Sequence, residues 1–382
     1  NKSAIIAFHV PCKGFTGFNI AASHSDSPTW RIKNTNVNVA GCIKLNVEGY
    51  GGMIMSTWLD RPLSAAGRVL VRDEAAGTLE SRLVDLDRDL LVIPSLAIHM
   101  DRTLNSGHAF NPQVDMQPLY GLEGSKLFPA LLAEAAGVKE EDIVDFDLSL
   151  YTRQAPTRIG PDGELFMAPR IDDLECAATT LYGFLDAAPE TDSACAPVWA
   201  MFDNEEVGSS TRQGADSSFL RDVLDRILNA IPHSAQAQAQ AFANSFVLSA
   251  DNAHAVHPNF ADKADPCNKV ILGKGVVVKV NASQKYTTSG LTGAIFKEIC
   301  RKNNVPVQVF ANRADLPGGS TLGNLQSHTV PVPMVDIGLA QLAMHSAVEP
   351  AAVADADAMV RAVAGFYRVH LRSLGDARYT LE

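Results

Sequence analysis

Short apolar runs, each ending in polar or ionisable residues, alternate with amphipathic stretches over most of this chain. That alternation restricts the fold more than any other feature. The runs include "FNIAASHSD", "APVWAMFDNEE", "SFVLSADNAH" and "PMVDIGLAQLAMHS". Between or after them, "DDLECAATTLYGFLDAA", "SSFLRDVLDRILNAI", "SGLTGAIFKEICRKNN" and "DADAMVRAVAGFYRVHLRSL" show helical spacing. Strands and helices in this order predict an α/β sheet covered on both faces by helices.

Residues from about 29 to 160 break the pattern. "TNVNVAGCIKLNVEGYGGMIMSTW", "GRVLVRD" and "RDLLVIP" are short β-type runs punctuated by Gly and Asn, and one good helix, "SKLFPALLAEAAG", stands among them. A length of 382 residues exceeds one ordinary core. The expected organisation is a first domain built from residues 1–28 and 160–382, with a β-rich domain, 29–159, inserted into it. No internal repeat is visible, and the biased "SAQAQAQAFA" reads as loop or helix surface.

Hydrophobic residues at 46% and charged ones at 20% fit a soluble globular protein, and no apolar stretch is long enough to span a membrane. A net charge of −11 argues against nucleic acid or a membrane surface as partner, although a local pocket can still accept an acidic substrate. Six scattered cysteines without a C-x-x-C pair point to reduced thiols and a cytoplasmic location. The opening "NKSAIIAFHV" reads as a strand beginning, with no initiator Met and no signal peptide, so a segment upstream of it is expected.

The chemistry collects where strands end. His24 and Asp26 follow "FNIAAS", Glu205 and Glu206 follow "VWAMFDN", Asp251 follows "SFVLSA", and His345 follows "GLAQLAM". Asp172 and Asp173 open a helix in "MAPRIDDLE". In open α/β sheets the carboxyl ends of strands converge on the site, whatever the distance in sequence. Singly, each feature has an ordinary use: an EE pair commonly starts a solvated helix, and DD is a common N-cap. Together, two His and three or four carboxylates suit a pair of zinc-type divalent ions sharing a bridging carboxylate. Such ions also make adjacent glutamates useful, one as ligand and its neighbour as general base.

"HSDSP", "MAPRIDD", "DNEEVGS", "SADNAHAVHPN", "KVNASQKYTTSG", "PGGSTLG" and "DIGLAQLAMHS" occur in this order from residue 24 to residue 346. Together they resemble the aspartyl aminopeptidase family, the M18 metallopeptidases. The resemblance implies a zinc exopeptidase of phosphorylase/hydrolase-like α/β fold, with a β-rich dimerisation domain inserted after the first metal histidine. It implies two zinc ions. His24 and Asp251 would hold one, Glu206 and His345 the other, and Asp172 would bridge them. Glu205 would be the general base and Asp26 the carboxylate that orients His24. Related sequences often read "RLDN" where this one reads "RIDD"; the additional Asp173 is expected to cap its helix. His254 and His257 are expected in the pocket wall.

By the same resemblance, the chain would hydrolyse the N-terminal peptide bond of short peptides. Lys279 and Tyr286 would favour an acidic first residue. "IPSLAIHMDR" is similar to the family's "IPHLAIH", with Ser95 replacing its first His. This leaves His99 to reach a partner subunit's site in a homodimer, and dimers to build a tetrahedral dodecamer. Uncovered strand edges in the insert favour such pairing. Two other readings stand beside this one: a co-catalytic metal deacylase or carboxypeptidase, and an inactive assembly protein on the same fold.

Overall fold

The computed structural model describes residues 2–11, 14–187, 194–230 and 234–382, without the side chains of 34–36; Cys12 lies outside the described residues. The chain divides into two compact units. The first comprises Asn1–Ser27, Thr157–Met344 and Glu349–Glu382, and the second Pro28–Pro156 together with His345–Val348. The last four residues, read from sequence as part of the first domain, therefore group with the inserted one.

Seven strands form the central sheet of the first unit, in the order Ile5–Phe8, Cys195–Phe202, Gly17–His24, Phe246–Ala250, Met334–Gly338, Val276–Val280, Val307–Ala311. The strands from Cys195 to Met334 in that order are mutually parallel. Ile5–Phe8 and Val276–Val280 each run antiparallel to their inner neighbour. Alternation along each strand divides its side chains between two cores. Ala21, Trp199, Leu248 and Ala250 pack on one face against helices Ile171–Ala187, Gly290–Lys302 and Val353–Arg368. Phe18, Ile20, Ala22 and Val198 pack on the other against Leu220, Leu224 and Leu228 of helix Phe219–Asn229. This is the α/β sheet with helices on both faces that the apolar runs require.

A smaller sheet of the same unit takes the order Ala253–His254, Ala340–Gln341, Glu349–Ala352, Leu165–Ala168, Thr157–Ile159. Its register sets Ala168 opposite Glu349. The final helix stops at Arg368, earlier than its periodicity suggests, because Val369 is extended (φ −89°, ψ 131°). Leu371–Gly375 then pairs with Arg378–Leu381 across Asp376 and Ala377, which both have positive φ. Such a two-residue turn favours a hairpin over continued helix.

The second unit is built on a six-stranded antiparallel sheet, ordered Thr78–Asp85, Leu63–Asp73, Ile143–Thr152, Thr29–Val39, Cys42–Tyr50, Leu119–Leu122. Ala40 and Gly41, at φ 53° and 76°, close the hairpin between Val39 and Cys42. Helix Phe128–Ala136 starts with Pro129 in its first turn and ends on a left-handed Gly137. Trp30, Leu45, Trp58, Phe128 and Leu132 fill the core between them. "RDLLVIP" makes isolated bridges at Leu91, Val92 and Ile93 instead of a strand. No helix among the described residues is long and apolar enough to cross a membrane.

Candidate metal centre

The parallel strands bring their carboxyl ends together. His24 is the last residue of its strand and lies level with Phe202 of the next one. Two residues past Phe202, Asn204 turns left-handed (φ 63°, ψ 25°), a conformation that asparagine tolerates well. The turn leads directly into Glu205 and Glu206, whose backbone is held by Asp26. The Asp26 Oδ1 accepts the Glu205 N–H at 3.0 Å and its Oδ2 accepts the Glu206 N–H at 3.1 Å. The same Oδ1 lies 3.3 Å from His24 Nδ1, and the Asp26 carbonyl lies 3.0 Å from that nitrogen. One carboxylate therefore aims an imidazole and two glutamates together.

Asp172 and Asp173 begin helix Ile171–Ala187 with non-helical backbone angles, and the peptide bond between them is cis. Asp172 Oδ1 lies 3.4 Å from His24 Nε2. Its carbonyl accepts the Ser27 hydroxyl at 2.7 Å, and its N–H donates to Glu349 Oε2 at 3.0 Å. Asp173, expected as a helix cap, has a different use. It is fully buried and its Oδ2 accepts the His24 backbone N–H at 3.0 Å. A carboxylate at a helix start can turn towards a neighbouring strand as readily as towards its own first turn, and only the tertiary contact decides between them.

Within the first unit, His24, Asp172, Asp173 and Asp251 offer ligand atoms within 4.8 Å of one another, as do His24, Glu205 and Glu206. Their electrostatics fit missing positive charge. Burial alone would depress the His24 imidazole, but Asp173, Asp172 and Asp26 reverse this and hold it well above its ordinary value. Burial, followed by the charge of Asp251, pushes Glu205 up to about 7. Asp173 is raised by burial too, and so is Asp251 against the pull of Lys279. One imidazole among so many buried carboxylates makes an oxygen-rich, anionic cage, the donor chemistry that suits divalent cations of the zinc type.

Lys279 lies beside this cage. It is 3% exposed, and its ammonium donates to the Asn252 carbonyl at 2.9 Å and lies 3.5 Å from Asp251 Oδ1. Tyr286 is buried too, its ring centroid 5.4 Å from the Lys279 nitrogen. His254 is exposed with its ring 6.0 Å from that of Phe310, and His257 stacks near Phe260. In the second unit, His99 sits in an exposed turn. Ser95, just before it, donates its N–H and its hydroxyl to Asp60. His345 is left-handed (φ 67°), and its carbonyl accepts the Ile54 N–H at 3.0 Å.

Sequence reasoning passed over three buried residues near these groups: Asn252, Glu175 and Glu349. Asn252 donates to Glu175 Oε2 at 3.0 Å and accepts the Cys176 thiol at 3.1 Å, tying the Asp251 segment to the helix that Asp172 opens. Glu349 holds the Asp172 N–H. An acid in an otherwise apolar run, as in "SAVEPAA", was the one available hint.

The profile of the family described as aminopeptidase I zinc metalloprotease (M18) matches residues 1–367. A probable M18 family aminopeptidase 2 of Clostridium acetobutylicum is 45% identical over 356 residues, covering 91% of this chain and 81% of that protein. The Stutzerimonas stutzeri protein of the same description is 40% identical over 377 residues, 96% of this chain and 86% of its own length. Among solved structures, the cryo-EM structure of the Ape4 and Nbr1 complex superposes with a TM-score of 0.92 at 36% identity, covering 96% of this chain and 75% of that one. The S. cerevesiae mApe1 dodecamer gives 0.82 at 25% identity, with 96% and 83% covered. An M18 aminopeptidase from Thermotoga maritima gives 0.81 at 26%, with 96% and 84% covered.

Proposed function

The chain belongs to the aminopeptidase I zinc metalloprotease (M18) family, and from that premise we propose that it removes the N-terminal residue of short peptides. In this reading His24, Asp251, Glu206, His345 and Asp172 are the residues that would hold two zinc ions. Bound there, zinc supplies polarisation of the scissile carbonyl and acidification of the attacking water. The observation that carries the reading is the pair Glu205–Glu206, whose backbone Asp26 fixes beside His24. Glu205 Oε2 lies 4.0 Å from His24 Nε2, which puts a carboxylate beside the proposed ligands, in reach of a water that zinc would acidify. Glu205 accepts the water's proton and delivers it to the leaving amine.

A preference for acidic first residues belongs to the same proposal. Lys279 places a buried positive charge beside the cage, where low dielectric strengthens its pull on an incoming Asp or Glu side chain, and Tyr286 lies next to it. The proposal also includes a cytoplasmic homodimer formed through the β-rich unit, assembled further into a tetrahedral dodecamer as mApe1 is a dodecamer. His99 would then complete a partner's site. In support, Leu96, Ile98 and Met100 beside it are exposed, Met100 to 76%, an apolar tip with the character of an interface.

The test is amino-acid release from peptides differing in the first residue, free or N-acetylated, with and without chelator and zinc add-back. Release from free acidic peptides, lost with chelator and restored by zinc, is expected. Glu205→Gln should retain zinc while turnover falls by about 10²–10⁴-fold. Action on the blocked peptides would make the protein a deacylase, and no release from any peptide would make it an assembly protein.

A further inference from the structure

We propose that Glu349 is a positioning residue of the metal centre, aiming the Asp172 carboxylate by holding its backbone N–H. This rests on the reading of Asp172 as a metal ligand. The N–H groups in the first turn of a helix have no partner within that helix, and Asp172, with φ −77° and ψ 109°, stands at this point with its backbone out of helical geometry. Its direction must be set from elsewhere. Glu349 Oε2 accepts the Asp172 N–H at 3.0 Å. A bridging ligand tolerates little displacement, so a hydrogen bond at its own amide is where aim is most directly controlled.

The smaller sheet explains how an acid so distant in sequence arrives there. Strand Leu165–Ala168 pairs antiparallel with Glu349–Ala352, with Ala168 opposite Glu349. The strand that leads into "PRIDD" thus carries Glu349 alongside it. Gln341 Nε2, on the neighbouring Ala340–Gln341 strand, lies 3.4 Å from Glu349 Oε1. Glu349 is 2% exposed, so its carboxylate has given up nearly all its hydration. Such desolvation persists where strong hydrogen bonds offset it, and a bond from a backbone amide to a carboxylate is of that kind.

Two uses of a buried carboxylate at this place make opposite predictions. If Glu349 aims Asp172, length matters: Glu349→Gln keeps an acceptor oxygen at the same reach, whereas Glu349→Asp withdraws it by one methylene. If Glu349 merely adds negative charge to the neighbourhood of a cation, Glu349→Asp is the mild change and Glu349→Gln the damaging one.

The experiment measures zinc affinity of the full chain by competition with a chelating dye, with folding followed by circular dichroism. Aiming predicts Glu349→Gln within about threefold of the parent and Glu349→Asp weaker by roughly 10–100-fold, the usual effect of losing a partner behind a ligand. Wild-type affinity in Glu349→Asp, or a loss in folded Glu349→Gln equal to or greater than that in Glu349→Asp, would overturn the proposal. Should Glu349→Asp fail to fold, Glu349→Gln decides by itself, since aiming requires it to retain zinc. Asp172→Asn is the control for the underlying reading: unchanged affinity there would remove Asp172 from the ligands, a result distinct from any behaviour of Glu349.

Discussion

Glu175→Gln should make the protein more stable, and increasingly so as the pH rises. Glu175 sits one turn into its helix, buried, with Oε2 accepting from Asn252 and no hydrogen-bond partner for Oε1 among the described residues. Burial, reinforced by the charges of Asp355 and Glu349, pushes its carboxyl from an ordinary 4.5 up to about 8. The folded-state value lies above the unfolded one. The contribution of the neutral acid is therefore intact below about 4.5 and is lost as the pH rises through about 8. The full gap corresponds to an upper bound of roughly 5 kcal/mol, which relaxation and water entry reduce to on the order of 2–3 kcal/mol. Glutamine keeps an oxygen for Asn252 and cannot ionise. In zinc-stripped protein, melting temperatures of the variant and its parent should nearly coincide at pH 4.5. They should separate through neutrality and differ by about 5 °C above pH 8.5. Bound zinc should shrink the separation, because nearby positive charge favours the ionised acid. A difference that stays constant with pH in the stripped protein would show that Glu175 does not titrate across this range, and the argument would fail.

Two further outcomes probe packing and assembly. Gly183→Ala should destabilise by about 1–3 kcal/mol although alanine is the better helix former, because its Cβ would stand 2.7 Å from Val363 Cβ on the helix packed against it; a melting temperature at or above the parent's would contradict this. Mixing Glu205→Gln with His99→Ala after dissociation should restore activity that neither variant has, through sites that take Glu205 from one chain and His99 from another. No recovery despite demonstrated subunit exchange would place His99 outside a partner's site.

What the sequence determined here is local or periodic. Continuous apolar runs define buried strands, and helical spacing defines the covering layers, because side-chain direction follows backbone period without reference to distant residues. Parallel strands share one end, so the apolar runs alone place His24, Glu205 and Asp251 at one edge of the sheet. Colinear motifs identified the family for the same reason, as each is a short stretch whose residue order is its content. Contacts between those stretches were decided by tertiary structure alone. "RIDD" does not say whether Asp173 caps its helix or turns to the His24 amide, and the packing of that helix on strand Gly17–His24 chose the latter. "GVVVKVN" does not say that Lys279 faces inward onto Asn252 and Asp251. The short apolar stretch around Glu349 does not disclose that sheet register brings it to Asp172. In each case a polar group leaving water must find a partner, and which partner it finds depends on register and layer packing, quantities that exist only once the chain has closed on itself.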